Sequence, residues 1–181
     1  AITFKLAKAI KNSNRESIIQ AEHELHEQSQ YDFTASFSRG KALEASGNYS
    51  DAALQFANSN KLNKMFRPSQ SSLGENLLIN GQVDEALTLF EKLEKSNPRN
   101  LSRKVMLASA YMEKGDLAKA EEFIKQAQTI NPEASKIVEA SAQLLLCKGD
   151  IAGAFKLMDD MENVGPFFAS KRNELGVKLS Q

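Results

Sequence analysis

Cysteine is almost absent from this sequence, with one residue, Cys147, among 181. A single thiol cannot form an intramolecular disulfide, which excludes the disulfide-stabilised scaffolds and fits a reducing compartment such as the cytoplasm. A periplasmic protein with one cysteine fits the same observation. Long apolar runs are missing as well, and no stretch approaches the length of a membrane-spanning helix. Because the chain begins at Ala1 and not at Met, we expect a fragment of a longer protein.

Net charge of either sign is also missing, because 23 Lys and Arg residues balance 23 Asp and Glu residues. Proteins that bind nucleic acid or an anionic membrane surface usually carry a basic excess. The balance therefore predicts neither nucleic acid nor a membrane as a partner.

Glycine and proline are scarce, at 9 and 4 residues, and alternating runs of Val, Ile and Thr do not occur. Residues that favour helices, namely Ala, Leu, Glu, Lys and Gln, are abundant. Since strands are recognised by alternating or β-branched runs, the composition predicts an all-α fold.

A period of 34 residues relates several of the glycines and three of the four prolines, Pro98, Pro132 and Pro166. Four candidate turn glycines share this interval, namely Gly47, Gly81, Gly115 and Gly149. Five residues after each glycine stands an alanine, at Ala52, Ala86, Ala120 and Ala154. Four positions later comes a large apolar residue, at Phe56, Phe90, Ile124 and Met158. A period shared by several position classes indicates an internal repeat.

The physical unit that this repeat predicts is a helical hairpin. A first helix of about 14 residues ends at the glycine, which can adopt the left-handed conformation found at many helix C-termini. The periodic alanine lets the second helix approach closely, so we expect Ala86 and Ala120 to be buried. One hairpin cannot bury its apolar faces alone, and neighbouring hairpins must therefore stack.

These residues resemble the tetratricopeptide-repeat (TPR) family, whose pattern is W-x2-L-G-x2-Y, then A-x3-F, then P. Residues 67–100 supply Leu73, Gly74, Leu77, Ala86, Phe90 and Pro98. Residues 101–134 supply Leu107, Ala108, Tyr111, Ala120, Ile124 and Pro132. The resemblance implies a right-handed superhelix, an α-solenoid of helical hairpins. The position where many members carry tryptophan holds Ser36, Gln70, Lys104 and Val138 here.

The repeat frame organises the chain as one continuous array. Four repeats are predicted, at residues 33–66, 67–100, 101–134 and 135–168. Residues 1–32 contain two amphipathic segments, 2–11 and 15–29, and are interpreted as a degenerate or capping hairpin, since terminal repeats are often atypical. Residues 169–181 are interpreted as a C-terminal capping helix.

Three features invite an enzyme or metal interpretation, and each has a simpler explanation. His23 and His26 are three residues apart, whereas the helical zinc-protease motif requires four, so we expect a solvated pair. Cys147 follows three leucines and has no histidine nearby, which predicts a half-buried packing thiol. The acidic run at 159–162 is typical of a solvated face. We therefore expect a protein that is not an enzyme, without a catalytic residue, metal or cofactor.

The family resemblance also implies where a partner binds. In TPR superhelices the first helices of successive repeats line a concave groove, and certain repeat positions are directed into it. The residues predicted to line this groove are Phe37, Lys41, Ser71, Glu75, Ile79, Val105, Met106, Ser109, Met112, Glu139 and Gln143.

An apolar band within this set suits a peptide or an amphipathic helix of a partner protein. The band consists of Ile79, Val105, Met106 and Met112. Methionine favours an adaptable surface, because its flexible side chain can repack around different partners. At the position of Met112, packing between adjacent repeats is an equally good interpretation.

These positions also bear on two narrower functions within the TPR family. Heat-shock co-chaperones grip acidic C-terminal tails through a clamp of Lys, Asn, Asn, Lys and Arg, and no such set occurs here, which argues against capture of a terminal carboxylate. The run from Asn97 to Met161, with the segment at 164–168, is similar to the TPR region behind the receiver domain of some bacterial response regulators.

The sequence therefore predicts a non-enzymatic protein–protein interaction scaffold that binds a peptide or helix in its concave groove. Two alternatives stay open. One is a structural module that forms a homodimer through the ends of the superhelix. The other, implied by the second resemblance, is the output or relay region of a receiver-domain signalling protein.

Overall fold

A computed structural model of the protein describes residues 8, 11–12, 15–28 and 32–159, without the side chains of residues 22 and 24–28. Nine α-helices are formed by these residues, namely α1 (Arg15–Gln28), α2 (Phe33–Ala45), α3 (Tyr49–Leu62), α4 (Arg67–Ile79), α5 (Val83–Ser96), α6 (Leu101–Glu113), α7 (Leu117–Gln128), α8 (Ser135–Cys147) and α9 (Ile151–Asp159). No strand occurs in this part of the chain, and the predicted all-α class is confirmed. Most of the predicted segment 2–11, and all of 169–181, lie outside the described residues.

Each hairpin turns at a glycine in the left-handed region. The four glycines spaced by 34 residues have φ between +77° and +82°. At Gly47 an added Cβ would meet nothing within 4 Å, so the backbone conformation, and not a lack of space, requires glycine. The first helix of each hairpin has 13 residues, one fewer than expected, and ends two residues before its glycine. The predicted turn positions are confirmed.

Side-chain caps start several of the second helices directly after the turn. The Asn48 side chain accepts a hydrogen bond from the backbone N–H of Asp51 at 3.3 Å. Asp116 accepts from the N–H of Lys119 at 3.1 Å, and Asp150 accepts from that of Gly153 at 2.8 Å. Such caps satisfy backbone donors that have no partner within the helix.

The second helix of each hairpin presents its alanine to the core. The four periodic alanines, including the predicted Ala86 and Ala120, are 0% exposed, which confirms that prediction. The large apolar residue four positions later is also buried, at Phe56, Phe90, Ile124 and Met158. The small alanine lets the two helices of a hairpin pack closely, and the large side chain four positions later fills the space between the helix axes.

The chain divides into two compact units, Ala1–Leu89 and Phe90–Gln181. In the first unit, the Ser59 hydroxyl on α3 donates to the carbonyl of Phe33 at 2.7 Å and pairs with the Ser69 hydroxyl on α4 at 2.6 Å. One serine of α3 thus joins α2 and α4. In the second unit, Ala142, Ala154 and Met158 form a cluster between α8 and α9.

Among the described residues, no helix combines the length and the apolar character needed to cross a membrane.

Gly40 of α2 lies against the Phe56 ring of α3 in the first unit. A Cβ placed on Gly40 would lie 2.6 Å from one carbon of this fully buried ring. We expect Gly40→Ala to lower the free energy of unfolding by about 1–3 kcal/mol, because an overpacked core must shift to relieve the contact. Urea-induced unfolding, followed by circular dichroism, measures the change.

Combining Gly40→Ala with Phe56→Leu tests whether the ring is the cause. A smaller side chain at position 56 frees the space, so the two substitutions together should cost less than the sum of their separate costs. Strictly additive costs would contradict the proposed clash.

Candidate functional site

Five of the predicted groove residues lie on two contacting helices of the second unit. Helices α6 and α8 are the first helices of consecutive hairpins, and they contact each other as well as α7. Val105, Met106 and Ser109 are partly exposed on α6. On α8, Glu139 is partly exposed and Gln143 is exposed. These side chains are therefore accessible to a partner, with apolar groups on α6 and polar groups on α8.

Met112 does not share this accessibility. Its side chain is 9% exposed, and Leu107, Ala108 and Tyr111 on the same helix are also buried. The C-terminal half of α6 is covered on most sides, so Met112 packs within the unit. Of the two interpretations of this position, packing is the correct one, and Met112 is removed from the predicted groove.

The predicted groove residues of the first unit differ in accessibility. Ser71 and Glu75 are partly exposed on α4, and Ile79, at the end of that helix, is 57% exposed. Lys41 on α2 is partly exposed and forms an ion pair with Glu44 one turn later. An isolated exposed isoleucine is normal on a protein surface, so Ile79 by itself does not mark a site.

Phe37 is partly exposed, and its ring also packs against the core. The ring centroid lies 5.6 Å from that of Phe56 and 5.2 Å from that of Phe66, with the Phe66 ring perpendicular to it. Edge-to-face aromatic contacts of this kind stabilise a packed cluster. The half-buried Phe37 is held between α3 and the start of α4, and its place in the predicted groove stays a prediction.

A buried polar contact joins the first helices α2 and α4. Asn76 is 0% exposed, and its amide donates to Glu44 at 3.0 Å and to the carbonyl of Ser72 at 2.8 Å. Its side-chain oxygen has no hydrogen-bond partner among the described residues. Sequence reasoning missed this contact. The available signal was a polar residue at a repeat position that holds Ala42, Ala110 and Leu144 elsewhere.

Lys104 on α6 occupies the tryptophan position of the family pattern and is 5% exposed. Its ammonium group lies 2.6 Å from Glu94 on α5 and 2.7 Å from the side-chain oxygen of Gln126 on α7. A buried charge is tolerated only when it is paired and hydrogen-bonded. The lysine therefore joins three helices where tryptophan would fill space. This role was not predicted, since Glu94 and Gln126 are distant in the sequence.

Tyr111 forms a second polar connection between α6 and α5. Its hydroxyl donates to the Glu91 carboxylate at 2.5 Å, and its ring stacks on Phe123 with centroids 5.7 Å apart. Burial raises the pKa of Tyr111 to about 12, and the hydrogen bond to the Glu91 carboxylate contributes in the same direction. The neutral phenol is thus the form that the fold selects.

Of the residues considered for metal binding or catalysis, the structure describes the side chains of Cys147 and His23. Cys147 is exposed, which corrects the predicted half-buried thiol. It is the last residue of α8, beyond the turn where Leu144 faces the core. His23 is exposed, and the side chain of His26 lies outside the described residues, as do residues 160–162. No group of three or more His, Cys, Asp or Glu residues suited to a metal ion occurs among the described residues.

Comparison with known proteins identifies the repeats. Residues 77–144 match the family model for the tetratricopeptide repeat. A search of curated proteins gives no match to this sequence.

Several solved structures share the fold. TTC0263, a thermophilic TPR protein of Thermus thermophilus, is 23% identical over 81% of this chain and 82% of that chain, with a TM-score of 0.72. MamA (41-end) of Desulfovibrio magneticus RS-1 is 20% identical over 100% of this chain and 98% of that chain, with a TM-score of 0.69. A chain of the APC/C hetero-tetramer Cut9–Hcn1 is 14% identical over 86% of this chain and 30% of its own, with a TM-score of 0.72.

The raised pKa of Tyr111 predicts a loss of stability at high pH. Its unfolded pKa is about 10 and its folded pKa is about 12. The stability gained from the neutral phenol is therefore complete below about pH 10 and is lost as the pH rises through about 12. We expect Tyr111→Phe to remove this component, as measured by urea unfolding from about pH 9 to 12.

Tyr49→Phe is the matched control, because Tyr49 is 36% exposed. The readout is the difference between the curve of unfolding free energy against pH for Tyr111→Phe and the same curve for the unchanged protein. Parallel curves for Tyr111→Phe and the unchanged protein would contradict the assignment.

Proposed function

This chain carries tetratricopeptide repeats and has the fold of that family, as its sequence pattern predicts, and we propose on this premise that it is a protein–protein interaction scaffold. The partner binds to the first helices of the hairpins, as a peptide or an amphipathic helix. The observation that carries this proposal is the pair Val105 and Met106, which stay partly exposed on a helix whose neighbouring residues are largely buried.

The energetics favour an apolar partner segment at this pair. Fully burying a side chain of this size contributes about 1.5–3 kcal/mol of gross hydrophobic stabilisation, and a partly exposed one contributes a share of that. The free-energy cost of association is subtracted from the summed hydrophobic stabilisation of the two side chains. A site that is already rigid before binding keeps this cost low. The packing of α6 against α7 and α8 supports such rigidity.

Polar side chains flank the apolar pair. Ser109 lies one turn or less beyond Val105 and Met106 on α6, and Glu139 and Gln143 lie on α8. An apolar centre with a polar rim is the usual arrangement of protein interfaces. An amphipathic helix would place its apolar face on α6 and its polar edge toward α8. The similar chain in the Cut9–Hcn1 hetero-tetramer, which by its name belongs to a multi-protein complex, is consistent with a scaffold role.

The alternatives of self-association and of a signalling relay stay predictions. Self-association was predicted for the ends of the array, and residues 1–7 and 160–181 lie outside the described residues. The relay role rests in part on the segment 164–168, which lies outside them too. Light scattering over a range of protein concentrations tests the first alternative, because a dimer would dissociate on dilution.

Met106→Glu tests the proposed binding surface. We expect the substitution to abolish partner binding, because a carboxylate buried against an apolar partner segment would lose its hydration without gaining a partner. The melting temperature should change little, since Met106 is only half-buried. Affinity capture from the native cell lysate, with mass spectrometry, compares the bound proteins.

Met65→Glu is the matched control, because Met65 is 81% exposed and lies in the connection between α3 and α4. The partner should bind this variant normally and with little dependence on salt, since apolar contacts are not screened. Unfolding of Met106→Glu would assign Met106 to the core. Retained binding by a folded Met106→Glu variant would move the interface to another surface.

A further inference from the structure

A cleft of about 500 Å³ opens on the second unit, and it shares no residue with the surface proposed above. It lies between the connection that joins α5 to α6 and the C-terminal end of α7. Its lining residues are Pro98, Arg99, Lys104, Gln126, Thr129 and Ile130. We propose that this cleft is a second binding site, which takes a carboxylate side chain of an acidic partner segment together with an adjacent apolar side chain.

The charges of the cleft favour a carboxylate. Two cationic residues line it and no acidic residue does. Arg99 is exposed and, among the described residues, forms no ion pair or hydrogen bond through its guanidinium group. Two of the three N–H donors of Lys104 are used by Glu94 and Gln126, and its ammonium group also lies over the Phe123 ring, 6.0 Å from the ring centroid.

Nearby carboxylates reduce this positive charge but do not cancel it. Glu94 neutralises Lys104 through their contact at 2.6 Å. Glu122 accepts a hydrogen bond from the side-chain amide of Gln126 at 3.0 Å, and that amide therefore has less capacity to bind a ligand. Arg99, on the rim, therefore keeps a charge that is not paired by any of the described residues. A guanidinium group can bind a carboxylate through two parallel hydrogen bonds, which gives geometric specificity as well as energy.

The wall formed by the α5–α6 connection is held in place before any ligand binds. The Arg103 guanidinium donates to the carbonyl of Leu93 at 2.8 Å and to that of Asn97 at 3.2 Å. Asn100 caps α6 by accepting from the backbone N–H of Arg103 at 2.9 Å. The chain on both sides of Pro98 and Arg99 is therefore fixed, which lowers the entropic cost of binding.

The opposite wall is fixed in a similar way and adds an apolar contact. The Thr129 hydroxyl donates to the carbonyl of Gln126 at 2.7 Å, which secures the last turn of α7. Ile130 is 40% exposed beside it. Together with Pro98, it offers apolar surface next to the cationic rim. This combination of a cationic group and apolar surface favours an acidic residue with an apolar residue next to it.

Titration of the whole chain with two short peptides tests the site. The probes are acetyl-Ala-Glu-Leu-Ala-amide and its glutamine counterpart, acetyl-Ala-Gln-Leu-Ala-amide, followed by backbone amide shifts in the nuclear magnetic resonance spectrum. We expect the glutamate peptide to shift the amides of Arg99, Gln126 and Ile130. The glutamine peptide should bind about tenfold more weakly, because it cannot form charge-assisted hydrogen bonds.

Variants of exposed cations complete the test. Arg99→Gln should weaken binding of the glutamate peptide about tenfold, and Lys156→Gln, an equal change of charge on the exposed Lys156 of α9, should leave it unchanged. The site is overturned if both peptides bind alike, if Arg99→Gln has no effect, or if acetate ion binds as tightly as the glutamate peptide. Shifts confined to Val105 and Met106 would also overturn it, while supporting the surface on α6. If no partner binds the proposed surface around Met106, the proposal for this cleft is unaffected, because the two sites share no residue.

Discussion

The close approach of the two helices in each hairpin is the constraint on which the other features depend. A fully buried alanine stands at the contact in every hairpin, at Ala52, Ala86, Ala120 and Ala154. Since the second helix cannot move away without leaving a void, the turn before it must be short, and a glycine with positive φ supplies that turn. Stacking then places successive first helices, such as α6 and α8, in contact. The surface available to a partner follows from this spacing.

Features that only one kind of residue can satisfy could be predicted from the sequence. A left-handed φ favours glycine, and a close helix crossing requires a small side chain. The residue types at Gly115 and Ala120 therefore predict their structural roles. The hairpins, their turns and the burial of the alanines follow from such residues. The exposed positions of the first helices could be predicted only in part, because a partly buried side chain can face solvent or fill a gap. On the same helix, Met106 stays partly exposed and Met112 is buried.

Features that depend on a chemical partner elsewhere in the chain could not be predicted. Lys104 stands at a position that the family pattern assigns to packing, and its charge is tolerated because Glu94 and Gln126 meet it from two other helices. Asn76 is buried because Glu44 and the carbonyl of Ser72 accept from its amide. Neither partner is marked by a motif or a fixed spacing. The cleft above Lys104 was missed for the same reason.

Lys104 stands where the family pattern has tryptophan, and it links the packing of the second unit to its surface chemistry. Tryptophan at this position would add apolar area to the helix contact, whereas lysine brings a charge whose pairing uses hydrogen-bonding groups on α5 and α7. A buried ion pair is weak support for stability, because desolvation offsets much of the attraction. What the lysine adds is a cationic group in the lining of a cleft rimmed by Arg99. The charge of Lys104 therefore supports the proposed recognition at that cleft more than it supports the stability of the fold.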